Sequence, residues 1–237
     1  MRGLILAIGF LTRLPVPSVH NFEAADLSRS AAWFPLAGAL VGAIVAMAAY
    51  AGAIVDPWLG ALLGVLVWMA VTGGLHLDGL VDLADALGAS HRSPERFLQV
   101  LRDPHVGAFG VLALIGVVLA KLILLMLWLT HGQSLWGLLL LVAWARLGSV
   151  VWAQTLKPLS SGQGERFAWQ GQPGWLVAGG VALAIMSAVI APQLLGAIAV
   201  LALYWGYLKF RLGGMTGDCL GAGIELSECA LLLLMLL

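Results

Sequence analysis

The sequence predicts an all-α fold: a polytopic integral membrane bundle of six to seven transmembrane helices, preceded by a short N-terminal interfacial helix. Three observations predict it. The 237 residues are 61% hydrophobic and 10% charged, with a mean hydropathy of +0.99; a soluble domain carries roughly 25% charged residues. Several apolar runs approach the roughly 20 residues needed to cross about 30 Å of hydrocarbon. Basic residues gather in a few connections and avoid the others. The chain is short for several independent domains, so residues 1–237 are read as a single membrane-embedded domain. With zero formal net charge, nothing points to nucleic acid.

Residues 2–11 form an apolar stretch that stops at Thr12 and Arg13. It has the length of a secretory leader, but no Ala-x-Ala site follows and Pro15 and Pro17 come next. A short interfacial or re-entrant helix, kept in the mature protein, is expected. Spans are expected at 31–55, 58–75, 108–130, 134–153, 175–191 and 194–208. A seventh helix is expected over 218–237, polar and small in its first half and purely apolar in its second.

Three connections are very short: Asp56–Pro57, His131 to Gln133, and Pro192–Gln193. Each carries Pro or Gly, and helices joined so tightly are antiparallel hairpins. The longer connections, 12–30, 76–107, 154–174 and 209–217, then share the opposite side. Ten of the twelve basic residues lie in them or in the N-terminal segment: Arg2, Arg13, Arg29, Arg92, Arg96, Arg102, Lys157, Arg166, Lys209 and Arg211. The positive-inside rule makes that side cytoplasmic. Lys121 and Arg146 fall inside expected spans; they either snorkel or reach an anionic substrate within the bundle. Tryptophans near span ends (Trp58, Trp136, Trp175) suit interfacial anchoring. Cys219 and Cys229, ten residues apart on one helix, are separated by about 15 Å of rise; that excludes a disulfide within the helix.

Two acidic motifs carry the chemistry. In residues 73–85, Asp78, Asp82 and Asp85 stand at i, i+4 and i+7, on one helix face. Three such carboxylates repel one another unless a cation sits between them. A hard divalent ion such as Mg²⁺ takes oxygen ligands and bridges carboxylates to substrate phosphates. In residues 213–225, a glycine-rich segment leads into Asp218 and Glu225, again i and i+7. Glu228 lies about 80° to the side of Asp218. The glycines allow close approach of backbone to phosphate, and Thr216 or Asp218 can cap the helix. Between the motifs, Arg92, Arg96 and Arg102 suit phosphate oxygens or set topology. His76 and His105 flank the first motif, and either can serve as a general base.

Together these residues resemble one family. Residues 11–17, with Arg13 between Leu11 and Pro17, lead the series. Phe34–Pro35–Leu36–Ala37–Gly38, residues 73–85, Arg102–Asp103 with Gly107 and Gly110, Ala120–Lys121, and residues 213–225 follow in family order. They look like the adenosylcobinamide-GDP ribazoletransferases, or cobalamin synthases. The segment 154–174 matches the family pattern less clearly, so no role is carried onto Lys157 or Arg166. The resemblance implies an integral, Mg²⁺-dependent enzyme of the prokaryotic inner (cytoplasmic) membrane, its active site facing the cytoplasm. It would join adenosylcobinamide-GDP to α-ribazole or α-ribazole 5′-phosphate, releasing GMP in a late step of vitamin B12 assembly.

On that reading Asp78, Asp82, Asp85 and Asp218 hold Mg²⁺. Asp82, or another aspartate of the cluster, or His76 takes the proton of the attacking hydroxyl. Glu225 is a further ligand or supports one. Arg13, Arg102, Arg211 and Lys121 neutralise substrate phosphates. The lipid bilayer is the remaining partner, and assembly as a homo-oligomer is left open. Two other classes compete. CDP-alcohol phosphatidyltransferases also hold metal with aspartates on membrane helices, and Gly74, Asp78 and Asp82 match half of their pattern; the preceding Asp-Gly pair is missing. A cation transporter would carry its acids near mid-bilayer on broken helices, whereas here they sit at helix ends.

Overall fold

The computed structural model describes residues 2–19, 23–90, 93–160 and 173–237. Arg92 and Arg166 lie outside the described residues, so the phosphate-binding expectation for Arg92 has no structural counterpart here. Among the described residues the fold is all-helical, with one isolated bridge between Pro158 and Met215.

Helix α1 (Arg2–Leu11) turns Ala7 and Leu11 inward. It ends where the Thr12 hydroxyl donates to the Ile8 carbonyl at 2.7 Å and accepts from the Leu14 N–H at 3.2 Å. Pro15 and Pro17 cannot continue it. The Arg13 N–H instead donates to the Val71 carbonyl at 2.7 Å, anchoring the proline segment to the bundle. Helix α2 (Ala24–Ser30) opens on a reciprocal capping box between Glu23 and Asp26. It runs through a 3₁₀ turn (Ala31–Trp33) into α3 (Phe34–Ala53). Helix α4 (Pro57–Thr72) starts on the Asp56 carboxylate, which accepts from the N–H groups of Trp58 and Leu59 at 2.8 and 3.4 Å.

Small residues bring these helices into backbone contact, as packing between apolar helices in a membrane requires. A Cβ on Gly52 would stand 2.7 Å from the Gly60 Cα. On the other flank of α3, a Cβ on Gly38 or Gly42 would stand 2.8 Å from the Val142 or Leu138 carbonyl. Those carbonyls belong to α8 (Leu135–Thr155), the central helix: 78% of its apolar window is buried, against 22% for α7 (Ala108–Thr130). Indole N–H groups of α8 hold the last helices. Trp144 donates to Ser187 Oγ at 2.9 Å on α9 (Pro173–Ile190), and Trp152 to the Leu201 carbonyl at 3.0 Å on α10 (Ala197–Tyr207).

The expected span 58–75 does not run on into the acidic motif. Gly73 and Gly74 adopt φ of 62° and 71°, a left-handed conformation that glycine tolerates. The chain turns by 88° there into α5 (Leu75–Ala89). The short α6 (Pro94–Val100) follows, its N-terminus capped by Ser93 Oγ, which accepts from the Arg96 N–H at 3.2 Å. After α10 a π-turn (Leu208–Leu212) and Gly213, at φ 76°, lead to α11 (Gly217–Leu234).

Among the described residues, four helical stretches are long and apolar enough to cross a membrane: Ser28–Ala53, Ala108–Thr130, Leu135–Thr155 and Pro192–Leu212. The bent α4–α5 pair would be a fifth. The chain is thus a multi-pass helical membrane protein, as expected. Helix α9 is apolar but short, and α11 carries Asp218, Glu225 and Glu228 on a body packed among its neighbours. Large apolar side chains cover the outside, among them Ile54, Leu112, Val189, Leu203 and Phe210, as a lipid-facing surface demands.

Candidate active site

Glycine sets the meeting of α5 and α11. A Cβ on Gly79 would lie 2.9 Å from both the Cα and the carbonyl oxygen of Asp218, and one on Gly221 would lie 3.2 Å from the His76 carbonyl. The two acid-bearing helices therefore cross backbone to backbone. The start of α11 is fixed independently. Thr216 Oγ1 accepts from the Cys219 N–H at 3.3 Å, and the Tyr204 hydroxyl donates to the Cys219 carbonyl at 2.7 Å. The Met215 N–H donates to the Lys157 carbonyl, and the Leu159 N–H to the Met215 carbonyl, both at 2.9 Å.

A cavity of about 380 Å³ opens beside this crossing. His76 and Asp78 of α5, Arg102 beyond α6, Ser149 of α8, and Thr216 and Asp218 of α11 line it. Asp82 stands one turn along α5, where the charges of Asp78, Asp218 and Asp85 all act on it. Asp78 in turn acts on Asp218. The two motifs, some 140 residues apart in sequence, thus form one concentration of negative charge.

The other expected site residues divide. Asp85 is buried, and its carboxylate is engaged: it accepts from the Gly107 N–H at 2.7 Å and the Gly110 N–H at 2.8 Å, holding the start of α7. Arg13 packs its stem on Gly73, where a Cβ would stand 2.6 Å from the Arg13 Cγ. Arg211 borders a second, smaller cavity of about 250 Å³ with Ser90, Ser93 and Phe97. His105 is exposed and lies 2.6 Å from Asp103; that hydrogen bond holds the Asp103 carboxyl below its ordinary range.

Lys121 and Glu225 meet each other instead of the cavity's mouth. The Lys121 ammonium lies 2.6 Å from Glu225 Oε2, pairs also with Glu228, and stands 4.3 Å from the centre of the Trp68 ring. Glu228 pairs in turn with Arg146. Arg146 Nη2 lies 3.5 Å from His76 Nδ1, so that imidazole accepts there. His76 Nε2 has no partner among the described residues. All five side chains are buried. Two cations and two carboxylates balance, drawn from α7, α8 and α11 and joined through His76 to α5. Glu228 as the hub and Arg146 as its partner were not assigned from sequence. The available signal was charge parity: two lone cations in apolar spans and two acids on one later helix.

The family model described as cobalamin-5-phosphate synthase matches residues 3–236. The adenosylcobinamide-GDP ribazoletransferase of Thiobacillus denitrificans is 57% identical, covering 99% of this chain and 94% of that protein. Proteins of the same name from Laribacter hongkongensis and Novosphingobium aromaticivorans are 56% and 48% identical, over 99% and 98% of this chain and 96% and 95% of their own. No solved structure matches. Aspartates on two helices in backbone contact, and relatives this similar over nearly the full length, lead to one conclusion: the chain belongs to the cobalamin-5-phosphate synthase family.

Proposed function

We propose that the protein transfers the adenosylcobinamide-phosphate group of adenosylcobinamide-GDP to α-ribazole or α-ribazole 5′-phosphate, releasing GMP. A ribazole hydroxyl oxygen bonds to the cobinamide-side phosphorus, the bond from that phosphorus to the GMP oxygen breaks, and the hydroxyl proton passes to a base. The observation that carries this reading is the α5–α11 crossing, which gathers Asp78, Asp82 and Asp218 beside one cavity.

Among the described residues no three His, Cys, Asp or Glu side chains converge into a preformed metal cage. A small divalent ion does not need one, because it keeps several waters and takes one or two carboxylates plus substrate phosphates. The donor set fits: three carboxylates within electrostatic reach of one another, while Lys121 and Arg146 are already paired with Glu225 and Glu228. Asp78, Asp82 and Asp218 would hold Mg²⁺, which when bound neutralises charge on the phosphoryl oxygens and on the leaving GMP. Arg102, lining the same cavity, orients the diphosphate. Asp82, whose neighbours include three other carboxylates, would take the hydroxyl proton. Asp85 keeps its role at the start of α7, and the Lys121–Glu225 pair joins α7 to α11.

The basic connections support an orientation with the cavity open to the cytoplasm, at the inner membrane. The test is GMP release by purified protein supplied with both substrates and Mg²⁺. We expect D82N and D218N to lose at least about a hundredfold in turnover, and chelation of the metal to silence the native protein reversibly. Near-normal turnover in both variants would refute the assignment.

A further inference from the structure

We propose that the cavity of about 250 Å³ beside Arg211 binds the acceptor, and that Arg211 reads a phosphate carried on it. This rests on the transferase reading above. A displacement between two substrates needs two volumes meeting at one reacting centre, and α5 runs past both cavities. His76, Asp78 and Gly79 wall the larger one, and Leu87, Gly88 and Ser90 wall the smaller. Asp82 stands between them, about 6 Å of helix rise beyond Asp78 and about 7.5 Å before Leu87. Leu98 of α6 faces both cavities. Arg211 and Leu212 lead directly into the loop that ends at Thr216 and Asp218.

The lining chemistry separates the two substrates. Around Arg211 the smaller cavity is mostly apolar, with Leu87, Phe97 and Leu159. Its side-chain oxygens are the hydroxyls of Ser90 and Ser93, which donate to the Leu87 carbonyl and to Glu95. No carboxylate lines it among the described residues, and Arg211 makes no ion pair with any of them. An apolar wall with one guanidinium that makes no ion pair among the described residues suits a flat, apolar heterocycle whose ribose ends in a phosphate. It does not suit a guanine, whose edge presents N–H donors that want acceptors. The larger cavity, with Asp78, Asp218 and Arg102, is left for the nucleotide half of the donor; the corrinoid is too large for either and stays outside.

The experiment uses the full chain in lipid nanodiscs with saturating adenosylcobinamide-GDP and Mg²⁺. The readout is the ratio of kcat/KM for α-ribazole 5′-phosphate to that for α-ribazole. We expect R211Q to lower this ratio by about tenfold or more, through KM, and R211K to recover most of it. Inorganic phosphate should inhibit the native protein competitively against the phosphorylated acceptor, which needs no variant. An unchanged ratio in R211Q, an equal loss with both acceptors, or phosphate that does not compete would each overturn the proposal. If the native protein releases no GMP with either acceptor, the transferase reading fails and takes this one with it.

Discussion

Gly79 has no room for a side chain. Its Cβ would meet Asp218 backbone at 2.9 Å, and backbone cannot step aside as a flexible side chain can. Gly79→Val should therefore separate α5 from α11, costing about 1–3 kcal/mol and most of the GMP release. Gly116, where a Cβ meets nothing within 4 Å, is the matched control; Gly116→Ala should leave both thermal midpoint and turnover in place. The aspartates should divide in the same assay. Asp82→Asn relieves repulsion among carboxylates, so turnover falls without loss of thermal midpoint. Asp85→Asn turns an amide N–H toward a backbone N–H, at a cost of about 1–3 kcal/mol, and should lower the midpoint. Equal midpoints for the two variants would erase the distinction drawn between them. Spacing alone put all three on one face, and that much was legible. Their separate roles were not, because Asp85's partners, Gly107 and Gly110, lie 22 and 25 residues further along, and a helical repeat carries no information about what stands opposite.

At the scale of the element, the pair Gly73–Gly74 converts one apolar-then-acidic run into two helices at 88°. The sequence showed both glycines, and it showed the acids directly after an apolar stretch. What it lacked was the sign of φ, which tertiary contacts fix: Arg13 packs on Gly73 and its N–H holds Val71. Helix α11 was legible as half polar and half apolar, but its acids have two destinies. Asp218 faces the cavity, and Glu225 and Glu228 face Lys121 and Arg146. Lys121→Met would strand a buried carboxylate, and such losses cost about 3–5 kcal/mol. We expect a lower thermal midpoint in detergent, with much of it restored by Lys121→Met combined with Glu225→Gln. If the double variant is no more stable than the single, the charges do not act as a unit.

For the whole molecule, the multi-pass helical class followed from composition and run length, and the structure and the family bear it out. Which helices face lipid did not follow, because hydropathy cannot tell a lipid-facing helix from one wrapped by its neighbours: α7 and α8 are both apolar, yet 22% of the first and 78% of the second is buried. Orientation is open to direct measurement. His105 and His131 are both exposed, in connections expected on opposite sides. A cysteine at position 105 should react with a membrane-impermeant thiol reagent only from the cytoplasmic side, and one at 131 only from the other, with the native protein, whose two cysteines are buried or half-buried, as background. The reverse pattern would invert the topology.

The buried charges also constrain how the protein is made. Helices α7 and α8 leave the ribosome before α11, each with a lone cation whose insertion into hydrocarbon costs about 2.5–3.5 kcal/mol. Their counter-charges arrive only with Glu225 and Glu228. Until α11 is synthesised, Lys121 and Arg146 lack these partners, so α7 and α8 enter the membrane carrying that penalty against the gain from their apolar side chains. Glu225 and Glu228 thus bring the charges that let α7, α8 and α11 pack together.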